Sequence, residues 1–541
     1  MSTGVTGDRQ TRTAEAGAPR GAAGAPTFAY RGRALHCEEV PIEALYRAVG
    51  PLYVYSAQRL RDNAERVRRA FARVQTLVAY AVKANSNPAV LRLFYERGLG
   101  FEVSSGAELS IALATGAAPA HLVVSGSART DEELAQVAGC GAYLVSVDSE
   151  AEAARLEQAA ARAARAGRLT APVRAALRVN PDVDAGVHPD LATGVGDSKF
   201  GLPPDLIVDW YVHPERTPHL RWVGLHVHVG SQILDAAPLL DTLGECVDLV
   251  ERLRSAGAAL EVLDLGGGFG VDYDGRGALP FERFADAACL VAANQGLRLV
   301  VEPGRFLVAD AGALVGQVLS VKRTGRTFVV TELGMNDLLR PTLYGAHHEI
   351  VPVREPLPLA QGGAPGEKAD VVGPVCESGD YLARDRWLPP VAPGDLLAVT
   401  GAGAYGYTMA SNYNGRGRLP EALVDGAQAR LIRAREGWRD LVRLASDLAI
   451  DLEPAAGATA PGTAAGDGDG AAGPEAAARG EAPQPDAAPR PAHSWVPSGG
   501  GATRVMATAI AAGLHRKRHG AGKAGKAPAE GTEAARPRKA K

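Results

Sequence analysis

The sequence predicts an α/β fold in which a (β/α)8 barrel is followed by a smaller β-rich domain. Between about residues 50 and 305, short apolar runs alternate with amphipathic helical segments. After Gly312 the chain changes to β-rich segments that are broken by Gly and Pro and have no regular helices between them. Alternation at this spacing predicts parallel strands, because a parallel connection needs a dozen or more residues. An open doubly wound sheet is the alternative arrangement.

Eight apolar runs are the predicted barrel strands. They lie at residues 77–82, 100–103, 121–124, 143–147, 173–179, 222–228, 260–265 and 297–301. Amphipathic patterns predict helices between several of them, at residues 87–97, 107–115, 131–138, 150–166 and 237–255. Eight strands are what a closed barrel of this kind needs, and residues at the carboxyl ends of its strands form the active site.

The predicted domain organisation has five parts. Residues 1–27 and 454–541 are rich in small residues, and we expect them to be disordered because they cannot bury enough apolar surface to offset chain entropy. Residues 28–55 are predicted to join the β domain, residues 56–310 to form the barrel and residues 311–453 to form the β domain. Strands of that domain are predicted at residues 313–322, 327–332, 349–353, 369–372 and 396–399.

Composition narrows the class of function. The formal net charge of −3 argues against a general nucleic-acid binder, although the basic end of the C-terminal tail leaves nucleic-acid contact as the alternative to a solvated tail. The five cysteines lie far apart without a CxxC pair, so we expect no zinc ribbon or disulfide framework and a cytoplasmic location. No apolar stretch is long enough to span a membrane, and we find no secretory signal.

A lysine ends the first predicted barrel strand. Lys83 follows the apolar run 77–82 and precedes a polar turn, within the motif YAVKAN at residues 80–85. Lysine amines whose pKa is lowered by burial or by a neighbouring charge become nucleophiles that form Schiff bases, including with pyridoxal phosphate. The alternative is a lysine that only extends to the surface from a strand end. We expect Glu102, in the second strand, to be either the buried partner of Lys83 or part of an ordinary ion pair.

The sixth and seventh strands end in further candidate motifs. His228 and Ser231 lie in HVHVGSQ at residues 226–232, and LGGGFG follows at residues 265–270. A stacking imidazole, a serine hydroxyl and glycine N–H groups suit a flat, phosphorylated cofactor. We predict no metal site, because no HExxH helix or cysteine cluster accompanies the histidines. A buried core histidine and a tight glycine turn are the alternatives.

The eighth strand ends in EPGR, which contains Glu302 and Arg305. Glu302 can hold a pyridine nitrogen protonated and Arg305 can bind an oxyanion in bidentate fashion, with a mutual salt bridge as the alternative. In the β domain, polar side chains occur in CESGD at residues 376–380, in GAGAYG at residues 401–406 and in LRPTLY at residues 339–344.

Taken in order, these motifs resemble the fold-type III pyridoxal-phosphate-dependent decarboxylases, which have an alanine racemase-like fold. The resemblance also includes RVNP at residues 178–181 and DSKFG at residues 197–201, and it covers roughly residues 30–430. It implies a barrel that holds pyridoxal 5′-phosphate and a β domain that helps to close a homodimer with shared active sites.

The resemblance implies a role for each candidate residue. Lys83 would attach the cofactor, and Glu302 would pair with its pyridine nitrogen. The other residues that would contact the cofactor are His228, Ser231, Gly267, Gly268, Gly304, Arg305 and Tyr405. The residues that would bind the substrate are Arg305, Arg340, Tyr344, Glu377 and Tyr405. Cys376, as the proton donor, and Glu377, which would recognise the distal amino group, would come from the partner subunit.

The resemblance also implies a substrate. Relatives that act on ornithine have aspartate where this chain has Glu377, and Arg340 suits a second carboxylate. Both features favour decarboxylation of meso-2,6-diaminopimelate to L-lysine and CO2, the last step of lysine biosynthesis. An ornithine-type, arginine-type or secondary-metabolite substrate is the alternative, as is a cofactor-carrying protein without turnover. Glu102 departs from the family, in which aspartate is usual.

Overall fold

A computed structural model of the chain describes residues 26–196 and 198–445. The predicted tails at residues 1–27 and 454–541 lie outside the described residues, except for residues 26 and 27. Asp197 of the DSKFG motif also lies outside them. The predicted fold class is confirmed in the described residues, which form a closed parallel barrel followed by a β-rich domain.

The N-terminal segment forms a small sheet and then contributes a strand to the β domain. Its elements are β1 (Phe28–Arg31), β2 (Ala34–Cys37), β3 (Val40–Pro41), α1 (Ile42–Val49) and β4 (Leu52–Ser56). The first three strands pair antiparallel with one another. Every residue of β4 is buried. This strand pairs with two strands that come after the barrel in the chain.

Eight parallel strands of the described residues close the barrel. They are β5 (Thr76–Ala81), β6 (Gly100–Val103), β7 (Leu122–Val124), β8 (Leu144–Val147), β9 (Val173–Val179), β10 (Leu220–Val227), β11 (Val262–Asp264) and β12 (Arg298–Val301). Pairing of β12 with β5 completes the ring. Each of the eight predicted runs forms a barrel strand. These strands could be predicted because strands buried on both faces are almost continuously apolar in sequence.

Helices precede, connect and follow the barrel strands. They are α2 (Ala57–Ala70), α3 (Pro88–Glu96), α4 (Gly106–Ala114), α5 (Asp131–Cys140), α6 (Glu150–Arg165), α7 (Pro204–Val212), α8 (Ala236–Ser255), α9 (Phe281–Gln295) and α10 (Arg305–Val308). Side chains of Ser56, Ser105, Thr130 and Ser149 cap four of them by accepting a hydrogen bond from a first-turn N–H. Such caps satisfy donors that a helix start leaves unpaired, so they fix where each loop ends.

The β domain is built around the long strand β13. Its elements are β13 (Gly312–Arg323), β14 (Thr327–Thr331), α11 (Arg340–Tyr344), β15 (Ile350–Pro352), β16 (Glu367–Val372), β17 (Tyr381–Leu388), β18 (Leu396–Thr400), β19 (Glu421–Asp425), β20 (Gln428–Arg433) and α12 (Trp438–Val442). With β4, its strands form a nine-stranded sheet in the described residues. β4, β17, β19 and β20 are not among the strands predicted from the sequence. Charged residues in β17 and the exposed, polar β20 obscure the strand pattern.

The β domain contacts the barrel where Lys83 lies. The N–H of Tyr405 donates to the carbonyl oxygen of Ala84 at 2.8 Å. The loop after β18 is thereby held against the carboxyl end of β5. Among the described residues, we find no helix with the length and apolar character needed to cross a membrane.

Candidate active site

Lys83 lies immediately after β5, in a single 3-10 turn at Val82–Ala84. Its Nζ atom donates to Oε2 of Glu102 in β6 at 2.7 Å, and the Lys83 side chain is 42% exposed whereas that of Glu102 is fully buried. The other carboxylate oxygen of Glu102 accepts hydrogen bonds from the hydroxyls of Ser104 and Ser125. Of the two roles expected for Glu102, the structure shows that it is the buried partner of Lys83.

The surroundings of Lys83 favour its charged form. Burial lowers the pKa of the Lys83 amine, but Glu102, Tyr405 and Glu302 together raise it above its ordinary value. This shift is opposite to the lowered pKa by which lysines commonly become nucleophiles. Glu102 therefore holds the amine of Lys83 as an ammonium in this arrangement.

Three buried side chains from adjacent strands lie together in the barrel. They are His226 of β10, Asp264 of β11 and Glu302 after β12, and their ligand atoms lie within 4.8 Å of one another. Oε1 of Glu302 and Oδ2 of Asp264 are buried and have no hydrogen-bond partner among the described residues. Such a cluster can bind a metal ion or a protonated ring nitrogen. Asp264 is not among the site residues predicted from the sequence, although a carboxylate that ends an apolar strand is the signal that could have identified it.

The two carboxyl groups of this cluster differ in charge. Burial, and then Glu302, raise the pKa of Asp264 well above its ordinary value. Burial also acts to raise the pKa of Glu302, but His226 and Lys83 lower it below its usual range. Glu302 is therefore the ionised member of the pair. An ionised carboxylate with a free oxygen is the acceptor that a protonated ring nitrogen needs.

His228 presents a neutral ring beside the glycine-rich loop. Its Nδ1 atom accepts a hydrogen bond from the N–H of Gly267 at 3.2 Å. Burial, Arg178 and Lys83 lower the pKa of His228 to about 3. The ring is therefore uncharged near neutral pH and can stack on a flat partner. The N–H of Gly267, one of the predicted phosphate donors, is already used by His228.

The glycines of this loop allow close backbone contact between three strand ends. A Cβ atom on Gly267 would lie 2.2 Å from the carbonyl oxygen of Glu302, and one on Gly268 would lie 2.2 Å from that of Gly230. Gly268 also has φ +92°, which side chains strongly disfavour. Tight packing alone therefore explains why glycine occupies both positions, and phosphate binding would be an additional use of the same loop.

Arg305 is buried and contacts three other groups at the barrel mouth. Its Nη2 atom donates to the hydroxyl of Ser231 at 3.0 Å and its Nη1 atom donates to that of Tyr273 at 3.3 Å. Its guanidinium lies 4.8 Å from the ring centroid of Tyr405. Among the described residues it forms no ion pair with Glu302, whose Oε2 atom lies 3.6 Å from Nε2 of His226. The alternative interpretation of EPGR, a salt bridge between Glu302 and Arg305, is therefore wrong.

Tyr405 lies over the same region in a strained backbone conformation. Its φ is +55°, which is uncommon for a residue with a side chain. The hydrogen bond from its N–H to Ala84 holds it there. A Cβ atom on Gly304 would lie 3.4 Å from the Tyr405 hydroxyl, so glycine at that position leaves room for the phenol.

Arg340 reaches the barrel mouth from the β domain. Its guanidinium lies 4.6 Å from the ring centroid of Tyr273, and its Nη1 atom donates to Nε2 of His348 at 2.9 Å. Tyr273 therefore contacts both Arg305 and Arg340. Tyr273 and His348 are not among the site residues predicted from the sequence. The signal for Tyr273 is its place in the loop after the glycine run.

The remaining candidate residues lie apart from Lys83 within this chain. The ring of Tyr344 packs edge-on against that of His188, with centroids 5.9 Å apart. Cys376 and Glu377 are exposed in the turn between β16 and β17. In the described part of the chain, neither has a hydrogen bond or ion pair with Lys83. A single chain therefore does not bring these two side chains to the lysine.

A lysine, a ring-nitrogen acceptor and a glycine-rich loop at one barrel mouth define a class of pyridoxal-phosphate enzymes. Residues 57–309 match the family model described as "Pyridoxal-dependent decarboxylase, pyridoxal binding domain". The chain belongs to this family, which confirms the resemblance seen in its motifs.

The proteins similar to this chain include diaminopimelate decarboxylases. The one from Neisseria meningitidis serogroup A is 42% identical over 404 residues, which are 74% of this chain and 96% of that protein. The crystal structure of the Helicobacter pylori enzyme complexed with L-lysine has a TM-score of 0.70 and 33% identity, covering 74% of this chain and 98% of that one. The crystal structure of the M. jannaschii enzyme in co-complex with L-lysine has a TM-score of 0.72 and 32% identity, covering 78% of this chain and 98% of that one. Within the pyridoxal-dependent decarboxylases, the chain belongs to the diaminopimelate decarboxylase family.

Proposed function

We propose that this chain decarboxylates meso-2,6-diaminopimelate to L-lysine and CO2, with pyridoxal 5′-phosphate as its cofactor. The observation that carries the proposal is the meeting at one barrel mouth of Lys83, the ionised Glu302 and the buried pair Arg305 and Arg340. The names of the similar proteins support it, and so does the L-lysine bound in two of their structures.

The residues at the mouth fit the cofactor. Oε1 of Glu302 is buried without a partner in the described residues, so it offers an acceptor to a protonated pyridine nitrogen. Lys83 would attach the cofactor, and the neutral ring of His228 would stack on it. Tyr405 would contact both cofactor and substrate. The groups that would surround the phosphate are Ser231, Gly267, Gly268 and the backbone of Gly304 and Arg305.

When bound, pyridoxal phosphate supplies a carbonyl that condenses with amines and a ring that withdraws electrons from the α-carbon of the substrate. In this proposal Glu302 keeps the ring nitrogen protonated, which strengthens that withdrawal. Nζ of Lys83 gives up and regains protons as it releases and recovers the cofactor, and Glu102 stabilises the protonated amine. The ring of His228 excludes water from one face.

The arginine pair favours a substrate with two carboxylates. One carboxylate of meso-diaminopimelate leaves as CO2, and the other needs a cationic site throughout the reaction. Arg305 and Arg340 would bind it, with Tyr344 beside them, because guanidinium groups match carboxylates in geometry and charge. Ornithine has only the carboxylate that is lost, so it would leave two buried arginines without a counter-charge, which is costly.

Cys376 and Glu377 would act from the partner subunit of a homodimer. Cys376 would protonate the α-carbon once CO2 has left, and Glu377 would bind the distal amino group. Their exposure in the turn after β16 supports this part of the proposal, since it leaves both side chains accessible to a second subunit.

The wide spacing of the cysteines supports a cytoplasmic location.

A CO2-release assay of the purified holoenzyme tests the proposal. Its substrates are meso-diaminopimelate, L-lysine, L-ornithine and L-arginine. We expect turnover of meso-diaminopimelate with L-lysine as product and little turnover of the others. Turnover of ornithine or arginine alone would contradict the proposed substrate. A protein with the cofactor's absorbance that turns over none of the four would be a carrier and not this decarboxylase.

A further inference from the structure

We infer that Tyr273 and His348 are positioning residues that hold Arg305 and Arg340 together as one carboxylate-binding pair, and that they thereby set the preference for a substrate with a second carboxylate. The inference rests on the proposed function and extends it to two residues that lie behind the arginines. Tyr273 comes from the barrel loop after β11, whereas His348 comes from the β domain, just before β15.

Tyr273 links the two arginines directly. Its hydroxyl accepts a hydrogen bond from Nη1 of Arg305 at 3.3 Å, and its ring lies 4.6 Å from the guanidinium of Arg340. Arginine over an aromatic face is an attractive arrangement that also fixes the plane of the guanidinium. The Tyr273 ring also packs against Gly401 of the β domain, where a Cβ atom would lie 3.1 Å from Cε1 of Tyr273. The glycine therefore lets the ring pack closely against the β domain.

His348 fixes Arg340 through a single tautomer. The side chain is fully buried, with Nδ1 3.0 Å from the carbonyl oxygen of Thr400 and Nε2 2.9 Å from Nη1 of Arg340. A carbonyl only accepts and a guanidinium only donates, so Nδ1 must carry the proton and Nε2 must accept. Burial and the adjacent Arg340 keep the pKa of His348 well below its ordinary value, which preserves this neutral form.

The arrangement leaves the arginine pair in need of an anion. Two buried cations share one tyrosine, and the Nε atoms of both guanidiniums are buried without a hydrogen-bond partner in the described residues. Unpartnered buried donors are costly, and a carboxylate brings both a negative charge and two acceptor oxygens. A carboxylate on the substrate therefore relieves a cost that the fold has built in, and a substrate without one does not.

The matched probe is the same substrate without its second carboxylate. Because the product is L-lysine, CO2 leaves from the D centre of meso-diaminopimelate, and D-lysine is that molecule with hydrogen in place of the retained carboxylate. We expect Tyr273→Phe and His348→Leu to raise KM for meso-diaminopimelate about tenfold or more, with kcat changed less than about threefold. KM for D-lysine should stay within about twofold, so the preference for meso-diaminopimelate falls about tenfold.

Conservative and remote variants serve as controls. His348→Gln keeps an acceptor near the position of Nε2 and should recover most of the loss seen in His348→Leu. Tyr95→Phe removes the phenol that bonds to His121, and His219→Gln replaces the imidazole that bonds to Glu157, both remote from the arginine pair. These two should leave both KM values unchanged. Thermal unfolding and the cofactor's absorbance identify any variant that fails to fold.

A binding measurement separates this inference from the proposed function. Calorimetry on each holoenzyme compares L-lysine with cadaverine, which is L-lysine without its carboxylate. Weaker binding of L-lysine by about tenfold in Tyr273→Phe, with cadaverine unchanged, supports the inference. Equal losses for both ligands, or no loss in variants that fold, overturn it while leaving the proposed function intact. If the unmodified enzyme does not turn over meso-diaminopimelate, the proposed function fails and the inference fails with it.

Discussion

The ammonium of Lys83 and the buried carboxylate of Glu102 lie 2.7 Å apart at the carboxyl ends of neighbouring barrel strands. Because Ser104 and Ser125 donate to the other oxygen of Glu102, the carboxylate is oriented by three groups at once. This pair gives the proposed cofactor-binding lysine a fixed position and a preferred charge before any cofactor arrives.

Replacing the lysine should remove the chemistry and keep the fold. In Lys83→Ala we expect no cofactor absorbance from a covalently attached group and a loss of decarboxylation of at least about a thousandfold, because the nucleophile is gone. Absorbance spectra and the CO2-release assay measure both effects. Lys322→Ala, an exposed position in β13, is the control and should behave as the unmodified enzyme. Full activity in Lys83→Ala would exclude the assigned role.

Replacing Glu102 should lower the pKa of the Lys83 amine. Glu102 is the largest of the groups that raise the pKa of Lys83, so Glu102→Gln should lower that pKa and increase the free-amine fraction. Only the free amine attacks a carbonyl. After cofactor removal, reconstitution with pyridoxal phosphate at neutral pH should therefore be several-fold faster in Glu102→Gln than in the unmodified apoenzyme. An unchanged pH dependence of reconstitution would show that Glu102 does not control the lysine.

Two inactive variants should restore activity when mixed. Cys376→Ala is expected to keep the cofactor absorbance and lose decarboxylation, because the α-carbon lacks its proton donor. If active sites are shared in a homodimer, mixing and reassociating equal amounts of Lys83→Ala and Cys376→Ala should recover about a quarter of normal activity, from hybrid dimers with one intact site. No recovery, in a mixture shown to form hybrids, would contradict shared sites.

An ion pair near the end of the β domain should make stability depend on acid pH. Glu436 accepts hydrogen bonds from Nε of Arg418 at 2.8 Å, from the N–H of Arg418 at 3.0 Å and from Asn412 at 2.8 Å. Arg418 is the main cause that lowers the pKa of Glu436 to about 2. Glu436→Gln should lower the free energy of unfolding at neutral pH by about 1–3 kcal/mol, the range for hydrogen bonds to charged groups.

The sign of the effect follows from the lowered pKa. The carboxylate's contribution is complete above its unfolded pKa, and it is lost as pH falls from about 4.5 toward 2. The difference between Glu436→Gln and the unmodified protein should therefore be constant near neutrality and shrink below about pH 4.5, as measured by denaturant unfolding. Glu43→Gln, which removes an exposed surface pair with Arg47, should change stability by less than about 0.5 kcal/mol.

The predicted barrel and its lysine follow from local pattern. Strands buried on both faces are continuous apolar runs, and a charged or polar residue at the end of such a run marks the barrel mouth. Lys83, His228, Glu302 and Arg305 were all identified in this way. β17 and β20 were missed because their stability comes from neighbouring strands and not from an apolar pattern of their own.

The sequence by itself determined the order of the barrel strands, the position of Lys83 and the family to which the motifs belong, because each strand and each motif is formed by residues close together in the chain. Only the tertiary structure decided that Glu102 pairs with Lys83, that Asp264 joins His226 and Glu302, and that Tyr273 and His348 support the arginines. Those partners lie between 8 and 76 positions apart in the sequence. The closed barrel and the docked β domain bring them together, and no local pattern records contacts of that kind.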